Sequence, residues 1–239
     1  MNRAAALAIA IAASACTGDI DPAWQLDHER IIAVRADPPA VAAGQTSTIT
    51  ALLGHKGDKM SVATPALASV VSPASLSDAL AVRDGTWVVT APDEARLAAA
   101  RTELQLAATA PVPLQIAVSY AGQTAPPGSS AATLAATKTI LLGVAGDNPP
   151  LAGILVDGKP PGVAELVVGK LVKVPLSIDA DDLTYDVTWL TSCGTMHDFD
   201  LPQAYLKVED DDPESGELAV VVRDSQGGVS WSSWAIRAE

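Results

Sequence analysis

Two cysteines, three histidines and a few knots of carboxylates are the side chains in this 239-residue chain whose types could do chemistry. Cys16 closes an apolar run directly after Ala13-Ser14-Ala15, and Cys193 stands four positions before His197, with Asp198 and Asp200 close behind. Thiol, imidazole and carboxylate are the ligands zinc prefers, but a zinc site wants about four of them, usually as two closely spaced pairs. No second pair exists, so Cys193 to Asp200 reads as a solvated loop around one buried thiol, since a lone cysteine in a strand-rich segment behaves as a small hydrophobe.

Calcium, a hard ion, takes oxygen ligands. Asp179, Asp181 and Asp182 crowd one turn, and Glu209 through Asp212 with Glu214 and Glu217 crowd another. Neither follows the EF-hand pattern. Counted from Asp210, the sixth position is Ser215 where a sharp turn needs Gly, and the twelfth is Val221; counted from Asp179, the fifth is Leu183. Solvated turns are the plainer reading, with Asp179, Asp181 and Asp182 kept as calcium candidates and no other cofactor expected. The sequence holds no G-x-S-x-G, no H-E-x-x-H and no phosphate-cradling G-x-x-x-x-G-K-[ST], since Pro160 follows Gly153 to Lys159 where the motif needs Ser or Thr. A Ser-His-acid site is defined by geometry and not by order in the chain, so an enzyme with a scattered site stays open. The expectation is a non-catalytic protein.

Cys16 could be a core residue, half of a disulfide with Cys193, or an attachment point. Arg3, then the Ala-rich apolar run 4–13, then small residues is the layout of a secretory signal. The run falls far short of the roughly 20 residues a membrane-spanning helix needs, and nothing later is long and apolar enough. The tetrad Ala13-Ser14-Ala15-Cys16 resembles the bacterial lipobox, with Ala13 where Leu is usual. That resemblance implies removal of residues 1–15 and acylation of Cys16 as the new N-terminus. Several acyl chains would hold the protein at the membrane permanently, because two already suffice. Thr17 in place of Asp resembles the pattern of lipoproteins sent to the outer membrane, and residues 16–28 read as a polar tether. The same Ala-x-Ala triplet also suits ordinary signal peptidase, which would give a soluble periplasmic protein. With Cys16 acylated, Cys193 has no intrachain partner.

The 224 residues from Cys16 onward suit one large or two ordinary domains. Over all 239 residues 49% are apolar and the mean hydropathy is +0.25, enough to build cores, though only 4% are aromatic. Charge is lopsided: net −3 for residues 16–146 but −11 for 147–239. An acidic surface repels phosphate backbones, which argues against a nucleic-acid partner. A protein or glycan partner and the membrane itself remain.

The elements that must position these groups are short strands. Gly146-Asp147-Asn148-Pro149-Pro150 breaks the chain between two runs of apolar segments, so the domains are expected at 29–146 and 147–239. ELVVGKLVKVPLSID gives two strands broken at Gly169. In LTYDVTWL the residues Leu183, Tyr185, Val187 and Trp189 alternate with polar ones. QAYLKV, ELAVVVRD and GVSWSSWAIRAE follow, with Gly227-Gly228 as a hairpin signal. Trp231 and Trp234 are out of two-residue phase, which predicts a bulge near Ser232-Ser233. In the first half, TWVVTAP, PLQIAVSYAG and TLAATKTILLGV are strands. APDEARLAAARTEL has Pro92, Asp93 and Glu94 ahead of Leu97, Ala100, Arg101 and Leu104 at helical spacing, which predicts one inserted helix over about 92–104. Residues 55–81 show no clear pattern.

SIDADDLTYDVTWL followed by SGELAVVVRDSQGGVSW resembles the bacterial immunoglobulin-like, PKD and cadherin-like sandwiches, and IIAVRADPPAVAAGQTSTITALL is similar to their first two strands, with Pro38-Pro39 where an edge strand changes sheets. The resemblance implies a mainly β protein of two tandem immunoglobulin-like sandwiches, with Trp189 as the buried tryptophan of the third strand. It also implies that Asp224 lies at the same end as Asp179 and Asp181, which makes Asp224 a fourth calcium candidate. The function expected is a lipid-anchored cell-envelope binding or structural module. A subunit of an envelope assembly or export complex, docking through its acidic second domain, is the alternative.

Overall fold

The computed structural model describes residues 22–239, apart from 27, 56–59, 123–132, 163–164 and 182–183. Cys16 and Asp182 therefore lie outside the described residues. The strands, in chain order, are β1 (Arg30–Asp37), β2 (Ala40–Val41), β3 (Thr46–Gly54), β4 (Ser61–Ala63), β5 (Leu67–Ser72), β6 (Leu80–Arg83), β7 (Thr86–Thr90), β8 (Val112–Ala121) and β9 (Thr133–Leu142). Then come β10 (Leu155–Val156), β11 (Leu166–Val168), β12 (Lys173–Ser177), β13 (Tyr185–Thr191), β14 (Thr195–His197), β15 (Gln203–Lys207), β16 (Ser215–Asp224) and β17 (Val229–Ala238).

They form four sheets in two facing pairs. One pair is β1-β3-β7-β6, with β4 added to β3, against β2-β9-β8-β5; the other is β10-β12-β15-β14 against β11-β17-β16-β13. The wiring repeats. In each pair the first strand (β1, β10) sits at the edge of one sheet, the chain crosses over, and a short strand (β2, β11) runs parallel to the last strand (β9, β17) of the other. In the first half the crossing falls at Asp37–Pro38, as expected from the proline pair. The described chain is mainly β, two immunoglobulin-like sandwiches in tandem.

Alternation drives this. β8 buries Val112, Leu114, Ile116, Val118 and Tyr120 and turns the residues between them outward; period-2 patterning permits only this when one face meets a core. Trp189 on β13 is fully buried in the second core, beside Val187, Leu206 and Val220. The helix α1 (Glu94–Glu103) starts where Asp93 accepts the Arg96 amide at 3.0 Å, and it buries Leu97, Ala100 and Arg101 against the first core. The unpatterned 55–81 stretch holds β4, β5, a 3-10 turn at Ala74–Ala79 and the start of β6. Its alternation is hidden because β5 lies at a sheet edge with Leu67 and Val71 exposed.

Two expectations are corrected. No bulge interrupts the last hairpin: β16 and β17 pair without a break from Ser215–Arg237 to Arg223–Val229. Trp231 and Trp234 point to opposite faces because both faces of this sheet find apolar cover. Trp234 joins the second core, and Trp231 packs with Leu190, Ala219 and Val221 on the outer face, against Ala33 and Leu52 of the first sandwich. The second correction concerns the stretch expected to be tether. Leu26 N–H donates to Thr191 O at 2.9 Å and Thr191 N–H to Trp24 O at 3.0 Å, so Trp24–Leu26 extends the edge of the second sandwich at β13. Leu26 is buried between the domains.

Candidate binding cleft between the sandwiches

The joint between the domains is built from both outward faces of strands whose inward faces make the cores. Asn148, in the turn-forming linker, clamps them: its Nδ2 donates to Ala36 O at 2.9 Å and its Oδ1 accepts the Val229 amide at 2.8 Å. Arg223 on β16 reaches across to Ile32 O at 2.9 Å, and Glu217 on the same strand accepts the Met60 amide at 3.1 Å.

Beside this joint lies a cleft of about 580 Å³. Its walls are β1 over Arg30 to Val34 and β9 over Leu134 to Thr139, and its end is closed by Arg223, Asp224 and the β16–β17 turn. Both walls are sheet edges. β1 is the outer strand of its sheet, and β2 covers β9 only at Leu141 and Leu142. The gap follows from the crossing of the first strand: once the chain leaves β1's sheet at Pro38, neither edge is covered by the other.

Three cations line the cleft, Arg30, Lys138 and Arg223, beside the carboxylates of Glu29 and Asp224. Lys138 occupies an inward position of β9, in phase with Leu134, Ala136, Ile140 and Leu142, and is 6% exposed. Its Nζ donates to Gly227 O of the second sandwich. Desolvation pulls its ammonium down to about 8, Asp224 opposes that shift and the Arg223 charge adds to it. Arg223 donates to Thr188 Oγ1 at 3.2 Å as well as to Ile32 O, and burial lowers its pKa too. Sequence reasoning missed both. The available signal was a lysine at an apolar phase position of TLAATKTILL, since Lys is almost never fully buried unless paired.

The calcium candidates do not converge among the described residues, where no three His, Cys, Asp or Glu side chains are placed to hold a metal ion. Asp224 Oδ1 accepts the Gln226 and Gly228 amides at 2.8 and 2.7 Å and so shapes the last hairpin turn. Asp181 Oδ2 accepts the Thr184 hydroxyl at 2.9 Å. Asp179 lies against Gly153, its amide donating to Ala152 O. The second acidic cluster disperses: Glu214 pairs with Lys170 at 3.1 Å, Glu209 with Lys207, and Glu217 faces the first sandwich.

Cys193 and His197 separate as well. Cys193 is fully buried in the second core, its thiol donating to Pro213 O at 2.8 Å and pushed up to about 11 by burial. His197 stacks on Tyr205 across β14 and β15, with ring centroids 4.3 Å apart. His55 lines up with other groups: its Nε2 lies 2.9 Å from Ser61 Oγ and its Nδ1 3.4 Å from Glu29 Oε1. This hydroxyl–imidazole–carboxylate order is the one nucleophilic catalysis uses, but Glu29 alone of the three lines the cleft. In the second sandwich the equivalent gap, between β10 and β17, is a cleft of about 750 Å³ lined by Pro160, Pro161 and Trp234.

No protein-family model matches the sequence, and no curated protein matches it significantly. Among solved structures, the two tandem V-type regions of VCBP3, a v-region-containing chitin-binding protein, align at 12% identity over 86% of this chain and 98% of that one, with a TM-score of 0.34. The tandem Ig repeats of Dlar, a Drosophila receptor tyrosine phosphatase, align at 11% over 89% and 98%, TM-score 0.29. A nucleoside hydrolase-related hypothetical protein from Saccharophagus degradans aligns at 11% identity and TM-score 0.30 over 39% of this chain, which spans about a quarter of that protein. Scores this low carry no argument; the immunoglobulin-like assignment stands on the sheet wiring of this chain.

Proposed function

We propose that the protein is a lipid-anchored component of a bacterial cell envelope in which two immunoglobulin-like sandwiches, locked together, act as one binding module. The anchor half of this reading rests on Ala13-Ser14-Ala15-Cys16, and among the described residues no helix is long and apolar enough to cross a membrane. The observation that carries the module half is the joint itself. Linker, strand faces and the Trp24–Leu26 segment all fasten one sandwich to the other, which holds the cleft at the joint in one shape. A pre-formed concave site with a few fixed polar groups is where ligands bind.

Growth of cells expressing the chain with an alkyne-bearing palmitate tests the anchor. The wild-type protein is expected to take up the label and partition with membranes, whereas Cys16→Ala should take up none and appear in the soluble fraction; an unlabelled wild type ends the lipoprotein reading. Crosslinking in those cells tests the module, with a specific envelope partner as the expected product.

A further inference from the structure

We propose that the cleft between the sandwiches takes one extended, acidic peptide strand from a partner protein, with a carboxylate of that strand set between Lys138 and Arg223. The inference deepens the reading of the domain pair as a binding module and does not depend on the anchor.

Charge makes the first half of the argument. Burying a cation is unfavourable unless an anion or a full set of acceptors compensates it. Lys138 is 6% exposed and holds one backbone carbonyl. Arg223 holds a carbonyl and a hydroxyl. The chain has 28 acidic side chains to 15 basic ones, and Arg96, Arg101, Lys170, Lys207 and Arg237 each keep a carboxylate within 4 Å. Among the described residues neither Lys138 nor Arg223 does; Asp186 acts on Arg223 only from beyond that distance. Asp224 acts on Lys138 from farther off, and its Oδ1 already serves two turn amides. An incoming carboxylate would relieve both cations at once, and a charge-assisted, bidentate contact to a guanidinium is among the stronger hydrogen bonds.

Backbone makes the second half. The two walls present strand edges with no strand partner among the described residues. An unpaired edge is a template for an added strand, with main-chain hydrogen bonds supplying affinity and side-chain contacts supplying selectivity. The six residues Leu134 to Thr139 span about 20 Å, room for a strand of five or six residues. The chain already accepts one such addition, Trp24–Leu26 on the edge of β13.

The test is fluorescence anisotropy on the mature chain in detergent, with a labelled octapeptide of alternating valine and glutamate. Saturable binding is expected, weakened at least tenfold in Lys138→Met and again in Arg223→Gln, and lost when alternate peptide nitrogens are methylated. The lysine-for-glutamate octapeptide should not bind, and free glutamate and inorganic phosphate should compete only weakly. Three results would overturn the proposal: no binding, binding unchanged by Lys138→Met in a variant that melts no lower than the parent, or competition by phosphate as strong as by unlabelled peptide. Should the octapeptide fail while crosslinking in cells captures a partner on another face, the module reading survives and this site does not.

Discussion

The Arg35 guanidinium on β1 lies over the ring of Trp231 on β17, its central carbon 4.4 Å from the ring centroid, and so joins the first sandwich to the second across their packed faces. Trp231 also covers the apolar cluster that Leu26, Leu52 and Val221 share. A half-buried contact of this kind contributes about 1 kcal/mol, and the apolar area lost with the indole adds to it. Trp231→Ala is expected to leave strand content intact while splitting one thermal transition into two and raising the radius of gyration. A single transition at the parental temperature would show that the joint does not depend on this tryptophan.

Trp189 should behave differently. It fills the second core, and its Nε1 donates to Leu201 O at 3.2 Å. Truncating a buried tryptophan costs about 3–5 kcal/mol. Trp189→Ala is thus expected to unfold the second sandwich, seen as lost dispersion in the amide spectrum of residues 147–239, with the first retained.

Lys138 makes stability rise with pH in alkaline solution. Its folded-state pKa is depressed to about 8 from 10.5, so between those values the unfolded chain binds the extra proton and folding is favoured increasingly as pH rises. The penalty for burying the ammonium is fully present below pH 8 and gone above about 10.5. Lys138→Met should be more stable than the parent at pH 7, by up to about 3 kcal/mol, with the gap closing by pH 10. Denaturant midpoints at the two pH values decide it; a gap that is constant across that range removes the desolvation argument.

The Trp24–Leu26 addition predicts a local exchange pattern. Thr191 gives its amide to Trp24 O and its carbonyl to Leu26 N–H. Leu26→Asp, which places a charge in a buried contact, should speed hydrogen exchange at Thr191 while Thr188, whose amide faces β16 opposite Val221, keeps its protection.

Cys193 should be silent in the native protein. A thiol held up to about 11 and fully buried offers almost no thiolate at pH 8. Ellman's reagent is expected to titrate it only after denaturant is added, and prompt stoichiometric reaction without denaturant would contradict the placement.

Much of the fold could be read locally. Asp93 before Leu97 and Ala100 marks a helix start, because a side-chain acceptor at the cap satisfies an amide the helix leaves orphaned. TYDVTWL carries Val187 and Trp189 on one face, and the Gly227 turn, with φ of +88°, closes the last hairpin. Locality failed where a residue's partner lies far along the chain. ELAVVVRD is apolar at every central position of β16, and a single-faced reading could not say what Ala219 and Val221 meet. Trp231 and Trp234 suggested a bulge for the same reason: a second buried face was not in view.

What the sequence by itself determined is the phase of each strand, the helix, the turns and the charge imbalance, all set by side-chain spacing and backbone preference within about ten residues. Only the tertiary structure decided that the two sandwiches share a packed face, that Trp24–Leu26 leaves the expected tether for the edge of β13, and that Lys138 meets Gly227 and shares a cleft with Arg223. Those pairings join residues as much as 191 positions apart, as between Arg223 and Ile32. Spacing shows which side chains share a face. What covers that face depends on which surfaces lose most apolar area to water when the whole chain folds.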